Sequence, residues 1–241
     1  MKLYDNIISE TMDTLSSMGG DSVKRYSYTR PIWMDNGSSE FIMQRDAAKE
    51  LGSEGRPSVN YTLTTTSGIV TEDEILVCGP DINDISGGCS FARIVILETE
   101  DLQEDKDTEK AFAAIRNLEF VRYHVYPKGY MVRVSATSNQ EQIRISRGAV
   151  ANGISFEKVG SLYIKKYKEL PEVKKVRVIF ITDSALVEKL QPNAEKAATI
   201  TKTLTHILDG MPTDCGHCSM KAVCDEVDGM KELHLGKKKV K

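Results

Sequence analysis

The chain has 241 residues and a formal net charge of -3. This length is enough for one large domain or two smaller ones with apolar cores, so stability needs no disulfide framework. The acidic balance argues against a general nucleic-acid binder, and no apolar run is long enough to span a bilayer or to act as a signal core, so we expect a cytoplasmic protein without a nucleic-acid or membrane partner.

Residues 1–40 are predicted to be an N-terminal helix followed by an irregular lead-in. Leu3, Ile7, Ile8 and Leu15 recur on one face of a 3.6-residue period, and Gly19-Gly20 ends the pattern. The opposite face is not enriched in lysine and arginine, so we expect the apolar stripe to join the core and not to contact a membrane.

Residues 41–210 are predicted to form one domain with a mixed sheet. The first part reads as a short helix, three strands, a second helix and a hairpin around Pro127-Lys-Gly129. These elements are Phe41–Leu51, then Ser58–Thr66, Glu74–Cys78 and Phe91–Glu98, then Thr108–Leu118, and last Phe120–Tyr126 with Tyr130–Ala136.

The second part of this domain continues the alternation of strands and helices. It contains a short extended piece, a turn capped by Ser146, a helix, a buried strand, and a helix that we expect Pro192 to interrupt. These elements are Ile143–Ile145, Ser146–Gly153, Val159–Leu170, Val176–Ile181 and, after a cap at Thr182 or Asp183, the helix through Leu190 that resumes to Leu208. The pattern favours an α/β (mixed α+β) fold.

Residues 211–241 are predicted to be a short cysteine-rich, metal-binding appendix. Three of the five cysteines, Cys215, Cys218 and Cys224, follow the spacing C-x2-C-x5-C. A C-x-x-C turn lets two sulfurs converge on one ion or cluster while nearby amides face the charged sulfur. Structural zinc and cubane iron-sulfur clusters each take four ligands, so a fourth must come from elsewhere. The candidates are His217, His234, Cys78, Cys89, an external ligand, or a second metal held through a bridging thiolate.

Other chemistry at the cysteines remains open at this point. They could form a disulfide with a spare thiol, although nothing else indicates an oxidising compartment. Cys89 or Cys218 could be a nucleophile, but neither lies beside a histidine and an acid in the sequence. His124 and His206 are expected to be packed or exposed histidines, and Asp183 a helix cap and not a catalytic acid.

Several segments in the middle of the chain share motifs, order and approximate spacing with one known family. They are Glu50-Leu-Gly-Ser-Glu-Gly-Arg-Pro57, Val77-Cys-Gly-Pro-Asp-Ile-Asn83, Ile143-Arg-Ile-Ser-Arg-Gly-Ala-Val-Ala-Asn-Gly153 and Val176-Arg-Val-Ile-Phe-Ile-Thr-Asp183. In this combination, residues 45–190 resemble the middle domain of acetyl-CoA synthase, the β subunit of the CO dehydrogenase/acetyl-CoA synthase complex.

The resemblance implies an iron-sulfur cluster, of the 4Fe-4S type, on the C-terminal cysteines. Cys215 and Cys218 stand where the first C-x-x-C of the family's cluster would stand. Cys224 comes earlier than the family's next ligand, and no Cys-Gly-Cys for a distal nickel follows. The resemblance therefore does not predict acetyl transfer on nickel by this chain alone.

The family also suggests partners. Its middle domain contacts a corrinoid methyl donor and handles coenzyme A through arginines, so a corrinoid protein, a CO dehydrogenase subunit and coenzyme A are the expected partners. The arginines that could build a comparable anion-binding surface are Arg93, Arg116, Arg122, Arg133, Arg144 and Arg147. Arg144 and Arg147 could equally be surface charges.

Two functions are therefore expected. The first is an accessory, docking or electron-transfer component of anaerobic one-carbon metabolism that carries an iron-sulfur cluster. The second is a non-enzymatic partner-binding module whose cysteines hold a structural zinc.

Overall fold

The computed structural model describes residues 3–17, 23–30, 41–53, 55–100, 108–135, 137 and 139–208. Within these ranges it contains helices, strands and short 3-10 turns. In chain order, the helices and strands are α1 (Asp5–Ser16), β1 (Val23–Ser27), β2 (Ala47–Leu51), β3 (Ser58–Thr65), β4 (Glu74–Cys78), β5 (Gly88–Cys89), β6 (Phe91–Thr99), α2 (Thr108–Phe120), β7 (Met131–Arg133), β8 (Ile143–Ser146), α3 (Arg147–Ala151), α4 (Phe156–Tyr167), β9 (Val173–Ile181) and α5 (Ser184–Leu208).

The larger sheet has five strands in the order β1-β4-β9-β6-β3. It is mixed: β4 runs parallel to β9 and β3 parallel to β6, whereas β6 and β9 pair antiparallel. Every residue of β3, β4 and β6 is buried. A sheet whose strands read as continuous apolar runs is covered on both faces.

The two faces of this sheet pack against different elements. Helices α1, α2 and α5 cover one face, where their apolar side chains meet Val59, Tyr61, Leu76 and Ile94. Helix α4 and the smaller sheet cover the other face, where Phe91, Phe156 and Phe180 stack. The apolar stripe of α1 is therefore part of the core. This layered arrangement confirms the predicted mixed α/β fold.

The smaller sheet was not predicted as a separate unit. Its strand order is β5-β2-β8-β7. Strand β2 runs antiparallel to β8 and parallel to β5, and β7 pairs antiparallel with β8. Leu51, Met131, Ile143 and Ile145 are buried and join the core beneath α4. The larger sheet thus has a second sheet packed on its α4 side.

Two predicted elements are wrong. Residues 41–51 do not form a helix: a 3-10 turn, Gln44–Asp46, leads into β2. The predicted hairpin around Pro127-Lys-Gly129 is also absent from the described residues. Its first arm is the end of α2 and a 3-10 turn, Val121–His124, and its second arm, β7, pairs with β8.

The final helix continues through a proline. Pro192 lies inside α5, so the predicted interruption is wrong. Pro192 and Glu188, the residue whose carbonyl loses its helical donor, are both exposed, so water can satisfy that carbonyl.

The predicted caps are confirmed, since Ser146 Oγ accepts from Ala149 N at 3.1 Å and Asp183 Oδ1 from Leu186 N at 2.9 Å. No helix in the described ranges is long and apolar enough to cross a bilayer.

Helix α4 approaches the larger sheet closely at a glycine. A Cβ added to Gly160 would lie 2.5 Å from Ile75 Cγ1 and 2.8 Å from its Cγ2. Gly160→Ala is therefore expected to lower the free energy of unfolding by about 1–3 kcal/mol, because overpacking forces the helix or strand to shift. Gly148→Ala is the control, since its nearest neighbour is Ser146 Oγ at 3.8 Å. Equal urea midpoints for the two variants would contradict this account.

Candidate functional site

The cysteines predicted to bind metal lie outside the described residues, as do His217 and His234. The other two candidate ligands are described. Cys78 ends β4 and is completely buried in the core under α1 and α5, and Cys89 is half-buried on β5. Burial raises the pKa of both thiols to about 11. Both are therefore neutral at physiological pH and poor metal ligands as they stand.

In the described part of the chain, no group of three or more His, Cys, Asp or Glu side chains is arranged to hold a metal ion. A network of buried charged side chains lies instead at the β3 edge of the larger sheet. Asn60 on β3 and Arg93 on β6 are direct cross-strand neighbours. Alternation along each strand turns both side chains toward α4.

Two buried arginines converge on the Asn60 side chain. Arg93 Nη2 donates to Asn60 Oδ1 at 2.8 Å, and Arg122 Nη1 donates to the same oxygen at 2.7 Å. Asn60 is fixed in turn, because its Nδ2 donates to the Gln140 carbonyl at 2.6 Å and its backbone N–H to the Asn139 carbonyl at 3.0 Å. The amide oxygen therefore holds two guanidinium groups side by side.

Glu141 supplies the buried counter-charge for Arg93. Its Oε2 lies 3.9 Å from Arg93 Nη2 and 3.5 Å from Arg133 Nε. Its Oε1 accepts from the Tyr126 hydroxyl at 2.7 Å, and Tyr163 donates to Tyr126 at 2.6 Å. Burial raises the pKa of both tyrosines well above the ordinary value, so both remain neutral donors.

Arg93 also contacts an aromatic ring. Its guanidinium carbon lies 5.3 Å from the centroid of the Tyr163 ring. Two of its nitrogens, Nε and Nη1, have no hydrogen-bond partner among the described residues. A cation held over a ring face is attracted to it, and this contact replaces part of the lost hydration.

Glu119 is the counter-ion of Arg122, but its surroundings disfavour the charged form of its carboxyl group. Its Oε1 is within hydrogen-bonding distance of Arg122 Nη1, whereas its Oε2 has no hydrogen-bond partner in the described ranges. Burial raises the pKa of Glu119, and the Arg122 and Arg93 guanidinium groups oppose this only in part. The carboxylate is thus destabilised as an anion although it touches a cation.

A cavity of about 310 Å³ opens beside this pair, at the edge of β3 and between α2 and α5. Its charged and titratable lining residues are Arg116, Glu119, Arg122, Lys202 and His206. The rest of its wall is largely apolar, and includes Tyr61, Ala197, Ala198 and the exposed ring of Phe120. Among the described residues, the cavity combines a largely apolar wall with the cations Arg116, Arg122 and Lys202 and the carboxylate of Glu119.

The six arginines predicted as an anion-binding surface do not form one surface. Arg116 and Arg122 line this cavity, with Arg93 behind them. Arg144 pairs with Glu50 at 2.9 Å in a separate cavity of about 340 Å³ on the smaller sheet. Arg133 belongs to the Glu141 network, and Arg147 is exposed.

Of the remaining predicted residues, Asp183 is a helix cap, as expected, and the His124 side chain lies outside the described set. His206 lines the cavity. Sequence reasoning missed Asn60, Glu119 and Glu141. An asparagine within a strand that is buried throughout is a detectable signal, since a buried amide must find partners. Glu141 gives no such signal, because it lies in a polar loop.

The destabilised carboxylate predicts a pH effect on stability. A carboxyl group with a raised pKa in the folded state binds its proton more tightly than in the unfolded chain. Its contribution to stability is therefore complete below the ordinary value of 4.5 and is lost as the pH rises through the folded-state pKa. The Glu119→Gln variant has no carboxyl group to ionise at this position. As the pH rises toward the folded-state pKa and beyond the ordinary value, its free energy of unfolding should therefore increase relative to that of wild type, by at most about 1.4 kcal/mol per pH unit.

Urea unfolding of wild type and Glu119→Gln between pH 4 and pH 8 measures this difference. Glu188→Gln, which changes an exposed glutamate on α5, should follow wild type at every pH. Parallel stability curves for wild type and Glu119→Gln would show that Glu119 has an ordinary pKa.

Comparisons with known proteins place the chain in a family. Residues 36–187 match the family described as CO dehydrogenase/acetyl-CoA synthase complex beta subunit. The chain is 26% identical over 189 residues to the carbon monoxide dehydrogenase/acetyl-CoA synthase subunit alpha of Moorella thermoacetica, covering 77% of this chain and 25% of that protein. It is 28% identical over 156 residues to the acetyl-CoA decarbonylase/synthase complex subunit beta of Archaeoglobus fulgidus, covering 63% of this chain and 28% of that one.

The chain therefore spans about a quarter of the length of the curated relatives it matches. The family match covers well over half of the chain and includes the β3, β6 and α2 residues of the network. It ends before the α5 residues that form the other wall of the cavity. On this match, the chain belongs to the CO dehydrogenase/acetyl-CoA synthase complex beta subunit family.

Proposed function

We propose that the chain is an accessory component of anaerobic one-carbon metabolism that carries an iron-sulfur cluster, of the 4Fe-4S type, on Cys215, Cys218 and Cys224. The observation that carries the proposal is the order of the chain: a domain of the acetyl-CoA synthase family is followed directly by a cysteine-rich segment. Three thiolates grouped so closely suit a cluster that a partner or an external ligand completes.

The cluster would lie within reach of the basic cavity. Cys215 is seven residues beyond Leu208, the end of α5. An extended chain of that length spans at most about 25 Å. His206, on the cavity wall, is the last residue of α5 whose side chain is described. A ligand in the cavity and a cluster on the appendix would thus be close enough to contact one partner surface.

A CO dehydrogenase subunit or a corrinoid protein is the partner class we propose, with the chain docking to it or passing it electrons in the cytoplasm. The matched relatives are named as subunits of such complexes. Coenzyme A is proposed as a ligand through Arg116 and Arg122, the arginines that line the cavity. In this arrangement residues 1–40 lead into the domain of residues 41–210, and residues 211–241 hold the metal.

A structural zinc is the second candidate. His217 lies between Cys215 and Cys218, so the segment holds a possible Cys3His set, which suits tetrahedral zinc. In that case zinc would stabilise the fold of the appendix, and the chain would be a non-enzymatic partner-binding module.

Metal and sulfide analysis of protein purified without oxygen, together with its visible spectrum, separates the two candidates. About four irons with matching sulfide and broad absorption in the blue are expected for the cluster. One zinc and no colour would overturn the redox proposal. Co-purification with a CO dehydrogenase or a corrinoid protein then tests the docking role, and failure with both would overturn it.

A further inference from the structure

The cavity between α2 and α5 extends along α5 to the point where that helix ends. The α5 residues that line it form two rows with members four positions apart, and such residues share one face of a helix. They are Ala197, Thr201 and Thr205, and Ala198, Lys202 and His206. Helix α5 ends at Leu208, two residues after the last of them. The chain therefore leaves the helix beside the cavity, and residues 209–241 follow from there.

The sequence after α5 has the pattern of a Schellman motif, a common way for a helix to end. In the stretch Leu208-Asp-Gly-Met-Pro212, Leu208 is the last helical residue. Gly210 then stands where the motif needs a left-handed backbone, and a proline follows that cannot continue the helix. Met211 stands at the next position, whose apolar side chain in this motif packs on the helix three to four residues before the cap. Here those residues are Thr205 and His206.

We propose that the cavity between α2 and α5 is a docking site for this chain's own residues 209–213, with the Met211 side chain inserted between the two helices. Thr205 and His206, which the motif places beside Met211, both line the cavity. Three extended residues, from Leu208 to Met211, span about 10 Å. The helix rise of about 1.5 Å per residue separates Lys202 from Leu208 by about 9 Å. Met211 can therefore reach the α5 wall of the cavity.

The cavity suits a methionine side chain. Among the described residues its wall is largely apolar and includes Tyr61, Ala197, Ala198 and Phe120, of which Phe120 is 58% exposed. Methionine is unbranched and polarizable, so it fills irregular gaps and makes favourable contacts with aromatic rings. Its insertion covers the alanines and the Phe120 ring together and removes apolar surface from water. The contact needs no charged group of the wall.

Docking of Met211 fixes the start of the cysteine-rich appendix. Cys215 lies four residues beyond Met211, so at most about 14 Å of extended chain separates the first cysteine from the cavity. The inference does not rest on which metal the appendix binds, because Met211 precedes all three of its cysteines. A ligand held at Arg116 and Arg122 would compete with Met211 for the apolar wall.

Protection of a thiol in the cavity tests the proposal. In the full chain, Ala198→Cys places a thiol on the half-buried α5 wall, and its reaction with neutral iodoacetamide is followed at position 198 by peptide mass spectrometry. Adding Met211→Ser should speed this reaction at least about tenfold, because a site that is open for a tenth of the time reacts tenfold more slowly. Adding Met230→Ser, a matched change further along the appendix, should leave the rate unchanged. Equal rates with and without Met211→Ser would overturn the proposal.

The same thiol separates the docking contact from the metal. Adding Cys218→Ala to Ala198→Cys should keep the slow reaction, because the contact uses no ligand of the metal. Fast reaction in this variant, equal to that with Met211→Ser, would show that the metal and not Met211 closes the cavity, and would overturn the proposal.

Urea unfolding is the second measurement and does not depend on the introduced thiol. Met211→Ser should lower the urea midpoint, whereas Met211→Leu should keep it, because leucine is apolar and of similar size. Gly210→Ala should also lower the midpoint, since a side chain disfavours the left-handed backbone. Met230→Ser is the control and should match wild type. The proposal fails if Met211→Ser has the midpoint of Met230→Ser, or if Met211→Leu falls as far as Met211→Ser.

Discussion

Replacing Arg93 with methionine is expected to lower the free energy of unfolding by about 3–5 kcal/mol, the cost of removing one partner from a buried ion pair. Methionine keeps much of the unbranched stem, so packing changes little. The guanidinium is lost, and Glu141, itself fully buried, then keeps Arg133 and Tyr126 as its partners among the described residues. Asn60 Oδ1 would lose the Arg93 donor and keep Arg122.

Most of this loss of unfolding free energy should come from the buried negative charge of Glu141, and not from space left unfilled by the methionine side chain. Adding Glu141→Gln to Arg93→Met removes the unpaired charge, so the double variant should be more stable than Arg93→Met alone. Arg147→Met changes an exposed arginine and should alter stability by less than about 0.5 kcal/mol. Urea unfolding measures all four proteins. A loss below 1 kcal/mol in Arg93→Met would show that Glu141 does not depend on Arg93.

The elements best predicted from the sequence are those whose residues carry their own signal. Strands β4, β6 and β9 are apolar runs bounded by turn residues, and such runs form strands wherever both faces are covered. Helix α2 and the caps at Ser146 and Asp183 also follow from local chemistry. These elements could be placed without knowledge of the rest of the fold.

The wrong predictions share a different cause. Residues 47–51, Ala-Ala-Lys-Glu-Leu, favour a helix by intrinsic propensity. They form β2 because β8 and β5 offer backbone partners on both sides. Those partners lie far away in the sequence, so no local pattern shows them. The hairpin predicted around Pro127-Lys-Gly129 failed for the same reason, since β7 finds its partner in β8.

The candidate site was predicted least well. Arg93 and Arg122 were identified as cations, but their meeting point at Asn60 depends on the register of β3 against β6 and on the 3-10 turn after α2. Glu119 lies in the last turn of α2 and pairs with Arg122 in the 3-10 turn that follows, yet the sequence predicted that helix to end at Leu118. Because the predicted helix ended too early, Glu119 was left outside it and its pairing with Arg122 was not predicted.

Cys218→Ala is expected to remove nearly all the iron and sulfide from the anaerobically purified protein. Cys218 is the second ligand of the C-x-x-C pair, and a cluster left with two nearby thiolates lacks half of its usual four ligands. Iron, sulfide and visible absorption measure the loss. Cys89→Ala is the matched control: this half-buried thiol on β5 has a raised pKa, so its removal should leave the metal content unchanged.

Stability should respond differently from metal content. Among the described residues, the two apolar clusters of the domain are formed by residues 3–204. We therefore expect Cys218→Ala to keep the free energy of unfolding within about 1 kcal/mol of wild type, measured by urea unfolding, even as the colour disappears. Parallel loss of iron and stability would show that the cluster also holds the domain together, as metal does in small structural sites. Full iron content in Cys218→Ala would contradict the cysteine assignment, and iron lost in Cys89→Ala would make Cys89 the missing fourth ligand.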